Sequence, residues 1–182
     1  MKIVESIDFA EVVQIYRRDN AADGTFEGNS YQDGEQNLRR AADLPGHWSR
    51  VLLSRSDILA ITLPWHLSEG GGLELVPRTG LTVGQTVTRL RSDWSTWAAA
   101  NPVCTKKLEI LATALPMPLF LSTSPVDHSD YTDLVVREGL FHVDGLHRAL
   151  AWELAGSLPV DERIVSFVAG DAEAIVRQRG PK

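Results

Sequence analysis

Apolar residues in the first half of the chain recur at helical spacing and then in short runs. One predicted helix near the N-terminus buries a face with i, i+3, i+4, i+7 periodicity, made of Phe9, Val12, Val13 and Tyr16. Ser6 lies just before this helix and can cap it. A second short helix is predicted at 35–43, and the apolar runs at 51–53, 58–63 and 73–76 predict strands.

A long polar segment separates the first two predicted helices. Residues 19–34 read DNAADGTFEGNSYQDG and are rich in Gly, Asn and Asp. A loop of this length is unusual inside a compact domain, and such loops often serve function. The segment therefore predicts a loop that can act as a lid over a substrate.

The middle of the chain predicts two helices. Thr82 and Gln85 have the spacing of a capping box, so a helix is expected to begin there. Its apolar face is formed by Val83, Val87, Leu90, Trp94 and Trp97. Pro102 is expected to end this helix, because the residue before a proline is disfavoured in the helical conformation. The next helix is predicted at 103–115.

The C-terminal part of the chain alternates strands with helices. The pattern predicts strands at 118–122 and 163–170, a hairpin at 134–145 that turns at Glu138 and Gly139, and helices at 147–156 and 171–179. This order predicts an α/β (α+β) fold with a small mixed sheet. We expect residues 1–70 to form a helical N-terminal region that packs on an α/β domain at 71–182.

Composition and charge exclude several classes of partner. The chain has 182 residues, 43% hydrophobic and 23% charged, which predicts a packed globular domain. Its formal net charge of −6 argues against nucleic-acid binding, which needs a clustered positive surface. We find neither a signal peptide nor an apolar run long enough to span a membrane. We therefore expect a cytoplasmic protein that binds neither nucleic acid nor membrane.

Cys104 is the single cysteine of the chain. It excludes an intramolecular disulfide and a cysteine-rich zinc site. Lys106 and Lys107 follow closely and can lower the pKa of its thiol. The sequence favours an inert small residue near the start of a helix.

The densest group of reactive side chains lies in LFHVDGLHRALAWELAG at 140–156, which predicts a strand, a tight turn and a helix. The start of a helix exposes unpaired N–H groups and the positive end of the helix dipole. Gly145 permits a tight turn, Arg148 offers a fork of donors that matches phosphate, and His147 adds another donor. The segment Gly145, Leu146, His147 and Arg148 therefore predicts a phosphate-binding turn.

Asp144 stands at the end of the predicted strand and has three possible roles. It can cap the helix, bind a metal cation such as Mg²⁺ beside the phosphates, or accept a proton. We take Asp144, His147 and Arg148 as the candidate catalytic residues.

The same stretch resembles the ParB/sulfiredoxin superfamily. It follows the pattern x-x-D-G-x-H-R-x-x-A-x-x-x-x-G, and the likeness extends over about residues 73–169. The D-G-x-H-R form is that of the superfamily's free-serine kinases, which hold nucleotide phosphates in this turn and activate a hydroxyl with a distant Glu. The resemblance implies a kinase-like phosphotransferase or nucleotide hydrolase that uses ATP or ADP with Mg²⁺. Glu69 and Glu74 are the candidates for the distant acid/base residue.

The chain departs from two branches of that superfamily. Leu146 stands where sulfiredoxin has its catalytic Cys, which excludes sulfinic acid reduction through this motif. In the chromosome-partitioning ParB proteins a helix-turn-helix domain follows this region. Here only a short sequence follows the last predicted strand and the net charge is acidic, so we do not expect a role in chromosome partitioning.

Other functions stay open at the level of sequence. His142 and Asp144 are two residues apart on a strand, and with His147 or His128 they can form a metal site. His142 is also a candidate acid/base residue. One alternative function is a tailoring enzyme for specialised metabolites that uses His/Asp acid–base chemistry in a repurposed fold. Another is a non-catalytic sensor of a nucleotide or metabolite.

Overall fold

The structure is a computed structural model that describes residues 1–20, 31–68 and 70–178. The strands are β1 (Lys2–Ile7), β2 (His47–Leu53), β3 (Thr62–Leu63), β4 (His66–Leu67), β5 (Glu74–Val76), β6 (Leu81–Thr82), β7 (Leu119–Ser122), β8 (Phe141–Asp144) and β9 (Ile164–Gly170). The helices are α1 (Phe9–Asp19), α2 (Tyr31–Ala42), α3 (Arg55–Leu59), α4 (Val83–Ser92), α5 (Trp94–Ala100), α6 (Pro102–Leu111), α7 (Leu146–Ala155) and α8 (Ala172–Gln178), with a 3-10 turn at Ser129–Tyr131.

A mixed sheet organises these elements. It has seven strands in the order β1-β2-β9-β7-β8-β3-β6, and β4 pairs with β5 in a separate two-stranded sheet. Strand β7 runs parallel to β9 and antiparallel to β8, and β8 runs parallel to β3. The α+β class with a mixed sheet is thereby confirmed. Because β1, β2 and β3 come from the first 70 residues, the sheet continues across the expected boundary at residue 70.

The N-terminal part differs from its prediction in two places. Ser6, expected as a helix cap, lies in β1, and α1 begins after Asp8. The predicted strand at 58–63 is wrong at its start, because Ile58 and Leu59 belong to α3 and the strand β3 begins only at Thr62. A capping box between Ser54 and Asp57 starts that helix and so competes with the apolar strand pattern.

Contrary to the prediction, the polar segment 19–34 is not a loop over its whole length. Helix α2 already begins at Tyr31, and residues 21–30 lie outside the described residues, so the proposed lid stays a prediction.

The predicted hairpin at 134–145 is wrong in its first strand. Strand β8 pairs with β7 on one side and with β3 on the other. Neither edge of β8 is therefore left for the predicted partner strand that precedes Glu138. Val135 and Val136 are accordingly exposed. The long helix predicted after Thr82 is also interrupted, because the backbone at Asp93 leaves the helical region between α4 and α5.

The sheet separates two hydrophobic cores. Helices α1 and α2 cover one face, where Phe120, Phe141 and Phe167 are buried. Leu119 and Leu121 point to the opposite face, where they pack with residues of α4, α6 and α7. Within the described residues, no helix is both long and apolar enough to cross a membrane.

Candidate functional site

The turn before α7 requires glycine, as the sequence predicts. Gly145 has φ +102°, and a Cβ there would lie 2.6 Å from Leu119 Cδ2. The helix runs from Leu146 to Ala155, and Gly156 closes it in the left-handed conformation. The N-cap residue is Gly145 itself, so the N-cap position offers no side chain to the N–H groups of the first turn.

Arg148 and Asp144 are brought together, but they pair with each other. Arg148 is 7% exposed, its Nη2 donates to Asp144 Oδ2, and its Nη1 donates to Asn20 Oδ1 at 3.0 Å. The N–H of Leu146 donates to His142 Nε2 at 2.8 Å. Two of the donors expected to bind phosphate are therefore engaged by groups of the protein itself.

His147 points away from that pair and toward two residues of other elements. Its Nε2 lies 3.1 Å from Cys104 Sγ, which is buried on α6. The same sulfur lies 3.5 Å from His66 Nε2 on β4. The two imidazole rings meet edge to face, with their centroids 5.0 Å apart. We call His66, Cys104 and His147 the His–Cys cluster.

Local structure explains why these three side chains converge. Helix α6 begins with Pro102 in its first turn and packs along α7, which brings Cys104 toward His147. Next to His66, Trp65 donates from its backbone N–H to the Asp130 carbonyl at 3.1 Å and from its indole to Glu74 at 2.7 Å. These bonds hold β4 against the rest of the fold.

The candidate acid/base residues are dispersed. Glu74 accepts the Trp65 indole hydrogen bond, and Glu69 lies outside the described residues. His128 lies 3.4 Å from the Asp130 carboxylate. Asp144 is committed to Arg148, so neither His128 nor Asp144 joins His147 in the metal site considered from the sequence.

His142 lies near the cluster without belonging to it. Its Nε2 accepts the Leu146 amide, so its Nδ1 carries the proton in the neutral ring. That Nδ1 is buried and has no hydrogen-bond partner in the described part of the chain.

The imidazoles of His66, His142 and His147 are neutral near pH 7. Burial lowers the pKa of His66 to about 4, with a further contribution from the charge of Lys107, while Asp130 acts in the opposite direction. Burial likewise lowers the pKa of His142 to about 3 and that of His147 well below its ordinary value. Burial raises the pKa of the Cys104 thiol, although a hydrogen bond from Ser68 opposes this.

The cluster has the donor set and the spacing of a metal centre. One ligand atom from each of its residues lies within 4.8 Å of the other two. Tetrahedral zinc, with bonds of about 2.0–2.3 Å, places bound sulfur and nitrogen roughly 3.5 Å apart. The observed S···N separations of 3.5 and 3.1 Å are close to that value. Three protein ligands leave one position open, as in catalytic rather than structural zinc sites.

The fold and the site thus define an α+β protein with a compact His–Cys cluster built from β4, α6 and α7. From residue 1 to residue 181 the chain matches the family of unknown function DUF6309, and it belongs to that family. No curated protein and no solved structure matches it. The likeness to the ParB/sulfiredoxin superfamily stays a prediction.

Proposed function

We propose that this protein is a metal-dependent enzyme that activates water for the hydrolysis or hydration of a small molecule. A divalent transition metal, most simply Zn²⁺, would be held by His66 Nε2, Cys104 Sγ and His147 Nε2. The observation that carries the proposal is the convergence of these three atoms from β4, α6 and α7.

The protonation states support this assignment. A metal needs neutral imidazoles, and the low pKa values of His66 and His147 provide them at neutral pH. The Cys104 thiol would lose its proton on binding, because a metal stabilises the thiolate far more than the buried site alone does. Two neutral ligands and one thiolate leave the metal a net positive charge, which lowers the pKa of water at the open position.

A metal-free cysteine nucleophile is less well supported. Nucleophilic cysteines have a lowered pKa and a single base that a third group orients. Burial raises the pKa of Cys104, and two imidazoles approach its sulfur from different elements. That arrangement suits coordination better than proton abstraction.

A second candidate function is the nucleotide-dependent phosphoryl transfer implied by the resemblance, with ATP or ADP and Mg²⁺. It is favoured by the left-handed Gly145 at the start of α7, a position that offers no capping side chain to the N–H groups of the helix. It is weakened by the engagement of Arg148 with Asp144 and Asn20. A thermal-shift titration with ATP, ADP and pyrophosphate, with and without Mg²⁺, tests it on wild type and Arg148→Ala. A stabilisation that disappears in the variant supports the candidate function. Absence of a thermal shift with all of these ligands would reject it.

Metal analysis tests the leading proposal. The full chain, produced in medium supplemented with Zn²⁺ and dialysed without chelator, should retain one equivalent of metal. His66→Ala, Cys104→Ser and His147→Ala should each lose most of it. His47→Ala, a change at an exposed histidine of β2, should retain it. Equal metal content in wild type and all three cluster variants would contradict the proposal.

A further inference from the structure

The imidazole of His142 occupies the start of helix α7. Gly145 is the N-cap residue of that helix and has no side chain that could accept a hydrogen bond. His142 Nε2 accepts one instead, from the N–H of Leu146 at 2.8 Å. Leu146 is buried, so this N–H depends on a partner from the protein. A histidine of β8 thus takes over the capping that a serine or an aspartate usually provides at the N-cap position.

A bulge in β8 places His142 on the face of the sheet that carries α6 and α7. His142 is opposite Leu121 on β7. Asp144 is opposite Phe120, so one extra residue, Val143, lies between the two pairs. Opposite residues of an antiparallel pair share a face, and Leu121 belongs to the core formed with α6 and α7, whereas Phe120 belongs to the other core. The bulge therefore separates His142 from Asp144, which regular strand spacing would place on one face.

The contacts of His142 lead from the interior of the fold to the cluster. Tyr131, which is buried, donates from its hydroxyl to the His142 carbonyl oxygen at 2.7 Å. The His142 ring then holds the Leu146 amide. His147 follows Leu146 directly, and its Nε2 lies 3.1 Å from Cys104 Sγ. A continuous set of contacts thus joins β8 to the cluster residue in the first turn of α7.

Packing alone does not account for the choice of histidine at this position. Because Nε2 accepts from Leu146, the proton of the neutral His142 ring is on Nδ1. That Nδ1–H is buried and has no acceptor in the described part of the chain, which lowers stability. An apolar side chain would avoid the unpaired donor, but it would leave the Leu146 N–H without its acceptor.

We propose that His142 is a positioning residue of the metal centre, which fixes the first turn of α7 so that His147 meets the metal. This inference rests on the proposed function and adds to it a residue that touches neither metal nor substrate. Residues behind a metal ligand commonly fix its orientation and thereby tune metal affinity and geometry. Here the support acts through the backbone, because the hydrogen bond reaches the amide of the residue that precedes His147.

Three substitutions at His142 separate the hydrogen bond from the ring. His142→Gln places an amide oxygen near the position of Nε2 and keeps the acceptor, His142→Asn is too short to reach the Leu146 N–H, and His142→Leu has no acceptor. Gly34→Ala is the control for a general loss of stability, because its added Cβ meets Tyr16 in the opposite core. Each full-length variant and wild type is titrated with Co²⁺, and the dissociation constant and the visible bands are recorded.

The expected pattern follows the acceptor and not the ring. His142→Asn and His142→Leu should weaken Co²⁺ binding about tenfold and alter the visible bands that report the metal geometry. His142→Gln and Gly34→Ala should both keep the wild-type affinity and bands. In wild type, hydrogen exchange of the Leu146 amide, followed by NMR, should slow when Zn²⁺ binds, because the coupling between this hydrogen bond and the metal is reciprocal.

Three results would overturn the inference while leaving the metal site in place. One is unchanged Co²⁺ affinity in His142→Asn and His142→Leu, and another is an equal loss in His142→Gln and His142→Asn. The third needs no variant: equally fast exchange of the Leu146 amide in wild type with and without Zn²⁺. Failure of the wild-type chain to bind cobalt or zinc would instead reject the proposed function, and the inference with it.

Discussion

The sulfur of Cys104 lies 3.1 Å from Nε2 of His147, although the two residues are 43 positions apart in the chain. The contact joins helix α6 to the first turn of helix α7, where the sequence concentrates its reactive side chains. The His147 side chain therefore belongs to a cluster with Cys104 and His66, and not to the phosphate-binding turn that the sequence predicts. Side chains from this turn therefore point in two directions. Arg148 pairs with Asp144 on one side, and His147 joins the His–Cys cluster on the other.

Removal of metal should destabilise the protein. A ligand present at a thousand times its dissociation constant stabilises the native state by about 4 kcal/mol, which corresponds to a change in Tm on the order of 10 °C for a chain of this size. We expect EDTA to lower the Tm of wild type and of His47→Ala, as measured by differential scanning calorimetry. His66→Ala should start from the lower Tm and show no response to EDTA. Equal responses in His47→Ala and His66→Ala would contradict the assignment of His66 as a ligand.

Acid should destabilise the metal-free protein through its buried histidines. Burial lowers the pKa of His142 from 6.5 to about 3 in the folded state, so the unfolded chain binds one more proton between these values. The free energy of unfolding should therefore fall as the pH falls from 6.5 toward 3. In His142→Gln, which keeps an acceptor for the Leu146 N–H, this dependence should decrease by about 1.4 kcal/mol per pH unit.

Urea denaturation at several pH values, with chelator present throughout, measures that dependence. An identical pH dependence in wild type and His142→Gln would show that His142 is not buried in its neutral form.

Arg148 is expected to stabilise the fold through its pair with Asp144. Both partners are largely shielded from solvent, so Arg148→Met leaves the carboxylate without its cation. The expected loss is about 3 kcal/mol in the free energy of unfolding. The matched control is Arg177→Met, because Arg177 forms an exposed pair with Asp171 and should contribute less than about 1 kcal/mol. Chemical denaturation measures the free energy of unfolding of both variants. Equal losses in Arg148→Met and Arg177→Met would contradict a stabilising role of the Arg148–Asp144 pair.

Gly34 should be less tolerant of alanine than glycines in helices usually are. Gly-to-Ala changes in helix interiors ordinarily stabilise by up to about 1 kcal/mol. A Cβ on Gly34 would meet the buried Tyr16 ring, with Cζ at 2.8 Å and the hydroxyl oxygen closer still. We expect Gly34→Ala to destabilise by about 1–3 kcal/mol.

A double-mutant cycle with Tyr16→Phe isolates the cause of that loss. Removal of the hydroxyl should recover part of the stability in the Gly34→Ala background. Strictly additive effects of the two changes would refute the proposed clash.

Local pattern and capping predict much of this fold, and the site only in part. The Thr82–Gln85 capping box and the glycine turn at Gly145 act within a few residues, so the sequence alone locates the starts of α4 and α7. Strand β1 and the pairing of β8 with β7 depend on partners distant in the chain, and no local pattern indicates them.

The cluster escapes sequence reasoning for the same reason. His66 and Cys104 carry no spacing signal, since they are 38 positions apart in the chain and lie on different elements. Lys106 and Lys107 indicate only that the pKa of the Cys104 thiol can be lowered, and the folded structure is needed to show that His66 and His147 meet its sulfur.

Optical spectroscopy of the cobalt-substituted protein tests the central claim most directly. Thiolate coordination produces a sulfur-to-cobalt charge-transfer band in the near ultraviolet, and tetrahedral geometry produces intense visible bands. We predict both features in wild type and in His47→Ala, and loss of the charge-transfer band in Cys104→Ser. Absence of that band in wild type, or its persistence in Cys104→Ser, would contradict a metal centre built from His66, Cys104 and His147.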